Sequence, residues 1–222
     1  MTSCPFCLGD LPLNDGLVEG AEEQTSIRKR ILSVLPSSYL AAGIGAMVYP
    51  YVLFVTRRHI TGFDQASAQE QGELFELLKT CVESKLFPSG SLTLFEHGGS
   101  GEASCSCIDH CHIHIVDGHF DLSRMLLASR NDVVPWTMYA QGSLNFPLAV
   151  PYLWAAHFDA RRQDILDGSV SPSAGLGQQY FRRVLAAWAS NFNWDWKLHP
   201  HWENIYRLLE EWPQRVPHRP CL

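Results

Sequence analysis

Three histidines stand two apart in the run His110-Cys111-His112-Ile113-His114-Ile115-Val116. An extended chain turns successive side chains to opposite faces. The spacing therefore predicts His110, His112 and His114 on one face, with Cys111, Ile113 and Ile115 on the other. On a helix the same rings would fan apart by roughly 100° per residue and form no row. A row of imidazoles offers metal ligands, a nucleophile or a proton carrier. A lone histidine among the ten in this chain would be read as solvated or hydrogen-bonded. Strict interleaving with small and apolar residues sets this run apart.

Two other places carry residue types suited to chemistry. Cys4-Pro5-Phe6-Cys7 is a Cys-x-x-Cys knuckle, followed by a turn at Leu8-Gly9-Asp10. Such a knuckle can place two thiolates on one tetrahedral metal, with two further ligands drawn from elsewhere. A redox pair is the rival reading, although no βαβ pattern surrounds it. Glu96-His97 leads into Gly98-Gly99-Ser100-Gly101, a loop whose backbone N–H groups could approach an anion closely.

The elements that must position these groups read as a mixture of strands and helices. Residues 48–55 form an aromatic and β-branched run that predicts a buried strand, and a short strand is expected at 37–42. Ser67-x-x-Glu70 is a capping box. Leu74, Leu77, Leu78, Cys81, Val82 and Leu86 then recur at three- and four-residue steps, giving a helix over 67–86 that Phe87-Pro88 stops. Residues 91–97 predict a strand joined to the histidine run by a Gly/Ser-rich loop. Residues 10–37 read as irregular or loosely helical, 135–151 as a turn-rich connector, 152–158 as a strand and 159–177 as a polar loop. Helices are expected over about 178–190 and 200–212. The tryptophans of the C-terminal part (Trp188, Trp194, Trp196, Trp202, Trp212) suit packing or a partner.

Composition bounds the rest. The chain of 222 residues is 46% hydrophobic and 18% charged, enough for a sizeable core. A formal net charge of −6 argues against a general nucleic-acid or anionic-membrane binder. A small anionic substrate stays compatible with it, since a local site can be positive. No n-region with an apolar h-region opens the sequence, and no apolar run approaches ~20 residues. The seven cysteines are not spaced as a disulfide framework, so reduced thiols in a cytoplasmic setting are expected.

These residues, in this order, resemble the histidine-triad (HIT) superfamily of nucleotide hydrolases and transferases. The likeness rests on Cys4-x-x-Cys7, the strand leading to Arg58-His59, the capped helix, Phe95-Glu96-His97-Gly98 and Asp109-His110-Cys111-His112-Ile113-His114. The 152–158 strand, Phe181-Arg182-Arg183 and Trp194-Asp195-Trp196 resemble the C-terminal extension of a bacterial branch. The resemblance implies an α+β, HIT-like fold with a five-stranded antiparallel sheet. It divides the chain into a core with its zinc knuckle at 1–130 and an extension at 131–222 packed on that core. It also implies a homodimer acting on a small-molecule nucleotide, with no nucleic acid and no membrane as partner.

The resemblance gives His112 the attack on an α-phosphorus through a nucleotidyl-histidine intermediate. His114 and His97 then contact phosphate or the leaving group. Glu96, Gly98, Gly99, Ser106 and Cys107 are implied as substrate-binding, and Cys4, Cys7, His59 and His110 as ligands of a structural Zn2+. A carbonyl or carboxylate behind His112 is expected to fix its tautomer. A phosphorylase, a biosynthetic nucleotidyl enzyme with a non-water acceptor, and a non-catalytic nucleotide-binding module are the alternatives. The chain departs from the family in three places. Cys107 stands where a serine is common, Asp117 where a proline follows the triad, and no acidic ribose contact is evident at 40–47. Arg57, Arg58, Arg182 and Arg183 are candidates for phosphate charge, against a reading as solvated surface.

Overall fold

Strands with both faces covered form the centre of the structure, and their side chains sort the molecule into two cores. The computed structural model describes residues 4–7, 26–100, 106, 108–129, 132, 134–136 and 151–216. Eight strands are β1 (Ile31–Val34), β2 (Ser38–Ala42), β3 (Tyr51–Thr56), β4 (Ser91–Gly98), β5 (His112–Asp117), β6 (Val134–Trp136), β7 (Tyr152–Asp159) and β8 (Asp164–Pro172). They lie in one sheet in the order β1-β2-β3-β5-β4-β7-β8-β6, every pair antiparallel. The α-helices among the described residues are α1 (Ala68–Glu83), α2 (Leu122–Ser129), α3 (Tyr180–Trp188) and α4 (Trp202–Arg215).

The fold is α+β and antiparallel, as the resemblance implies, but the sheet has eight strands among the described residues rather than five. Strands β1 to β5 come from residues 31–117. The other three are added sideways: β7 pairs with β4 from Ser91↔Asp159 to Gly98↔Tyr152 and leaves no open edge there. Of segment 131–222, strands β6 to β8 therefore join the sheet, while α3 and α4 pack on its two faces.

Period-two alternation divides the side chains. Leu40, Val52, Phe54, Leu94, Ile113, Ile115 and Trp154 face α1 and α4, meeting Leu74, Leu78, Ile205, Leu208 and Trp212. Tyr39, Tyr51, Leu53, Phe95, Leu153 and Ala155 face the other way, meeting Phe6, Ile27, Leu126 of α2 and Phe181 and Leu185 of α3. His112 and His114 lie on this second face, since they alternate with Ile113 and Ile115. The register sets His112 beside Val55 and His114 between Leu53 and Phe95. Continuing the β4–β5 register by two residues brings His97 opposite His112.

Several expectations need correction. The capping box forms, with Glu70 N–H donating to Ser67 Oγ and Ser67 N–H to Glu70 Oε2. The helix nevertheless stops at Glu83, because Ser84 Oγ donates to the Cys81 carbonyl and accepts from Leu86 N–H, turning Leu86 and Phe87 into the core. Residues 48–50 precede β3: Pro50 has no N–H for the ladder. The supposed loop at 159–177 holds β8, and the irregular 10–37 stretch holds β1 and a 3-10 turn at Ile27–Arg30. The histidine row also breaks. β5 begins at His112, and Cys111 N–H donates to the Ile60 carbonyl at 2.6 Å, so His110 lies in the preceding bend.

Candidate functional site

A cleft of about 560 Å³ opens on the second face. His97, His112 and His114 form its floor. Its apolar walls include Phe6, Ile27, Ile44, Leu53, Ile108 and Trp196, and its polar groups include Arg30, Ser106, Gln179, Arg182 and Lys197. No carboxylate is among the described lining residues. The expected row therefore yields two of its three members to the cleft, joined by His97 from the neighbouring strand.

Hydrogen bonds assign each ring its tautomer. His112 Nδ1 lies 2.6 Å from the His110 carbonyl oxygen, which can only accept. Nδ1 therefore carries the proton and Nε2 the lone pair, so a backbone carbonyl orients this ring as expected. Burial is the main reason that its pKa is pushed down to about 4, which keeps the ring neutral in ordinary buffers. His114 Nδ1 lies 2.7 Å from the Tyr51 hydroxyl, which itself accepts from Arg182 Nη1 at 3.1 Å. The tyrosine proton therefore points to His114 Nδ1 and leaves Nε2–H as a donor. The ring stacks on Phe95, with centroids 4.4 Å apart and planes 7° from parallel. Burial, with the nearby charges of His112, His97 and Arg182 behind it, holds His114 well below the ordinary histidine range. His97 Nε2 accepts from Phe181 N–H at 3.2 Å, at the start of α3. Burial foremost pushes that ring down to about 3. Three neutral imidazoles thus present one lone pair and one N–H in known places.

His110 turns away from the cleft to a second cluster. Its Nδ1 lies 3.4 Å from Cys4 Sγ and 3.6 Å from Cys7 Sγ, and Cys7 Sγ lies 3.2 Å from His59 Nδ1. One ligand atom from each of Cys4, Cys7, His59 and His110 lies within 4.8 Å of the others, so the four can hold a metal ion. The donor set fits. A tetrahedral ion with sulfur at about 2.3 Å and nitrogen at about 2.0–2.1 Å would set the two about 3.6 Å apart. The Thr56 carbonyl, 2.7 Å from His110 Nε2, fixes the proton there and aims the Nδ1 lone pair at the thiols. The knuckle also places Phe6, whose ring meets His112 edge-on at 5.0 Å and whose carbonyl accepts from Tyr39 at 2.7 Å.

Other expected site residues lie elsewhere. Glu96 neighbours His97 on one strand, so it faces the α1 side. There it accepts from Tyr152 at 2.7 Å, Phe63 N–H at 3.0 Å and Cys111 at 3.2 Å, and burial pushes it up to about 7. Gly98 and Gly99 do not cradle an anion. A Cβ on Gly98 would meet the Tyr152 ring, one on Gly99 would meet Pro151, and Gly99 N–H is bonded to Thr61 O. These glycines allow β4 to approach β7. Ser106 lines the cleft, and Cys107 lies outside the described residues, as do residues 101–105. Asp117 faces away, accepting from Ser89 Oγ at 2.6 Å.

Of the four arginines, Arg57 and Arg183 bond to surface carbonyls and Arg58 pairs with Glu70 at 2.9 Å. Arg182 alone reaches the cleft. It is buried, donating to Gly45 O, Trp194 O, Gln179 Oε1 and Tyr51. Sequence reasoning missed Arg30, Tyr51 and Lys197 entirely. Tyr51 had an available signal: period two from Leu53 puts it on the histidine face. Comparison with family models and with curated proteins finds no match for the chain.

Proposed function

We propose that the chain is a histidine-triad type nucleotidyl hydrolase or transferase in which His112 Nε2 attacks the α-phosphorus of a bound nucleotide. The observation that carries this reading is the His112 Nδ1–His110 carbonyl bond of 2.6 Å, which leaves a neutral ring with its lone pair on the other nitrogen. Attack forms an Nε2–P bond, and the leaving oxygen departs with the bonding pair. The ring's new positive charge is met by the same carbonyl through Nδ1–H. His114 Nε2–H donates to a phosphate oxygen or to the departing one. Water or another acceptor then displaces the histidine and releases the nucleotide.

Arg30, Arg182 and Lys197 supply the positive charge that a phosphate needs, and the apolar wall from Phe6 to Trp196 suits a base. A cleft of about 560 Å³ lies within the usual range for small-molecule sites. Strands β1 to β5 with α1 are the part of the fold that this reading equates with the HIT-like sheet. Zinc is the metal assigned to Cys4, Cys7, His59 and His110: two thiolates and two imidazoles are its preferred structural set, and four protein ligands leave no position for substrate. Its part is to anchor residues 4–7, and with them Phe6, against His112.

The test is turnover of a nucleoside phosphoramidate or a dinucleoside polyphosphate, with quenched samples weighed by intact mass. A nucleotidyl adduct and released monophosphate are expected, both absent in His112→Ala. An unchanged rate in that variant rejects the reading. Binding by calorimetry without any turnover makes the cleft a nucleotide-binding module instead. Phosphate-dependent products would identify a phosphorylase.

A further inference from the structure

A second cluster of metal-ligating side chains lies on the cleft's face of the sheet, at the opposite end. His119 and Asp121 lie between β5 and α2, and His157 projects from β7. One ligand atom from each lies within 4.8 Å of the other two. On β4, His97 borders the cleft and Thr93 borders this cluster. Four residues of extended chain separate those positions by about 13 Å, and the paired Phe95 and Ala155 fill the space between them.

The surrounding hydrogen bonds prepare His157 as a ligand. Thr93 Oγ1 donates to Gly118 O at 2.7 Å and accepts from Phe120 N–H at 2.8 Å. His157 Nδ1 lies 3.3 Å from the same oxygen. The hydroxyl proton is already committed, so Nδ1 carries the ring proton and Nε2 the lone pair. A neighbour that holds one ring nitrogen in this way sets the tautomer and direction of metal-binding imidazoles. Asp121 is held too, its Oδ1 accepting from Arg124 N–H at 3.0 Å in the first turn of α2, with the second carboxylate oxygen left for a cation. His119 stacks on His157, centroids 3.8 Å apart and planes 18° from parallel. Stacked rings hold their nitrogens side by side. His119 is exposed and follows Gly118, whose φ of +105° makes the turn, so its ring can swing until the two nitrogens converge.

We propose that His119, Asp121 and His157 form a second metal site, one that binds a divalent ion of the zinc or iron(II) class with positions left open to water. Two imidazoles and a carboxylate suit borderline first-row ions, and the absence of thiolate among the three sets the site apart from the Cys4–Cys7 cluster. The bound ion ties the β5–α2 turn to β7, and so ties α2 to the sheet it covers. This inference stands independently of the nucleotide reading.

The test is metal stoichiometry on the untagged full chain, stripped with chelator under reducing conditions and titrated with Co2+ in equilibrium dialysis. Two ions per chain are expected in the wild type. Only one of them brings sulfur-to-cobalt charge-transfer absorption, and the Cys4→Ser/Cys7→Ser protein keeps the other. His119→Ala alters an exposed side chain. It is expected to lose the second ion, or to bind it at least ~10-fold more weakly, with thiolate absorption and circular dichroism unchanged. Thr93→Val is expected to weaken the same ion by ~10–100-fold. A wild-type protein whose only bound ion shows the thiolate absorption, or a second ion that His119→Ala binds with undiminished affinity, overturns the proposal.

Discussion

Replacing His112 with Gln should change how stability responds to acid, and the size of the change follows from burial. The folded ring titrates at about 4, against 6.5 for an ordinary histidine, chiefly because burial penalises its charged form. Well above 6.5 both folded and unfolded chains carry a neutral ring, and this residue gives no pH dependence. As the pH falls through 6.5 the unfolded chain binds a proton that the folded chain refuses, so stability falls. The loss is complete below the folded value, where it reaches about 3 kcal/mol. Between about pH 8 and about pH 5 it amounts to about 2 kcal/mol. His97 and His114 are depressed as well. At about pH 5 His97 and His112 are mostly neutral in the folded state, so repulsion between those two rings does not enter. The assay is urea unfolding followed by tryptophan fluorescence, with zinc present, at several pH values and linear extrapolation to water. Acidification over that range should shift the stability difference by about 2 kcal/mol in favour of His112→Gln. Parallel profiles for the two proteins would refute the claim that the ring is folded away neutral.

Glu96→Gln should tilt the profile the other way. The buried carboxyl is raised from 4.5 to about 7, so the folded chain keeps a proton that the unfolded chain releases, and stability falls as the pH rises across that window. The variant should gain about 2–3 kcal/mol relative to wild type between about pH 5 and about pH 8, read from the same urea titrations. The contributions of His112 and Glu96 have opposite signs and partly cancel in the wild-type profile. Tyr51→Phe removes the hydroxyl that donates to His114 and accepts from Arg182. Steady-state kinetics should show kcat reduced at least ~10-fold with little change in KM, a split that a general loss of fold would not give. Cys7→Ala should lower bound metal by one ion, counted by elemental analysis. Its thermal midpoint should fall by ~2–4 °C for every kcal/mol of metal binding lost.

Elements whose cause is local could be read from the sequence, and elements whose cause is distant could not. Helix α1 is announced by its own capping box and apolar spacing, and β3 by its own run of aromatic and β-branched residues. Strand β8 is not, because Ser169 and Ser171 are buried through pairing with β7 rather than through any apolar character. Period two put His112 and His114 on one face correctly. It carried His110 along with them, since nothing local shows that Cys111 N–H bonds to Ile60 and ends the strand. Glu96 was a different kind of error: it neighbours His97 on one strand, and alternation alone excludes both from the same cleft. The four side chains that could hold a metal are spread from residue 4 to residue 110, and no spacing rule joins them.

Net charge is silent about the cleft. A chain of formal charge −6 still places Arg30, Arg182 and Lys197 on the cleft wall, with no carboxylate among the described lining residues. The field inside is visible in the histidines, because the Arg182 charge adds to burial in lowering His97, His112 and His114 alike. Neutral rings beneath a fixed guanidinium favour an anion and leave the His112 lone pair unprotonated. Arg182 comes from α3, within the segment that the family likeness treats as an addition to the core. It is held there by the carbonyls of Gly45 and Trp194 and joined to His114 through Tyr51. The C-terminal segment therefore forms part of the cleft itself. A chain cut before α3 would lose the Phe181 N–H that holds His97 and the charge that orients Tyr51, even with β1 to β5 intact.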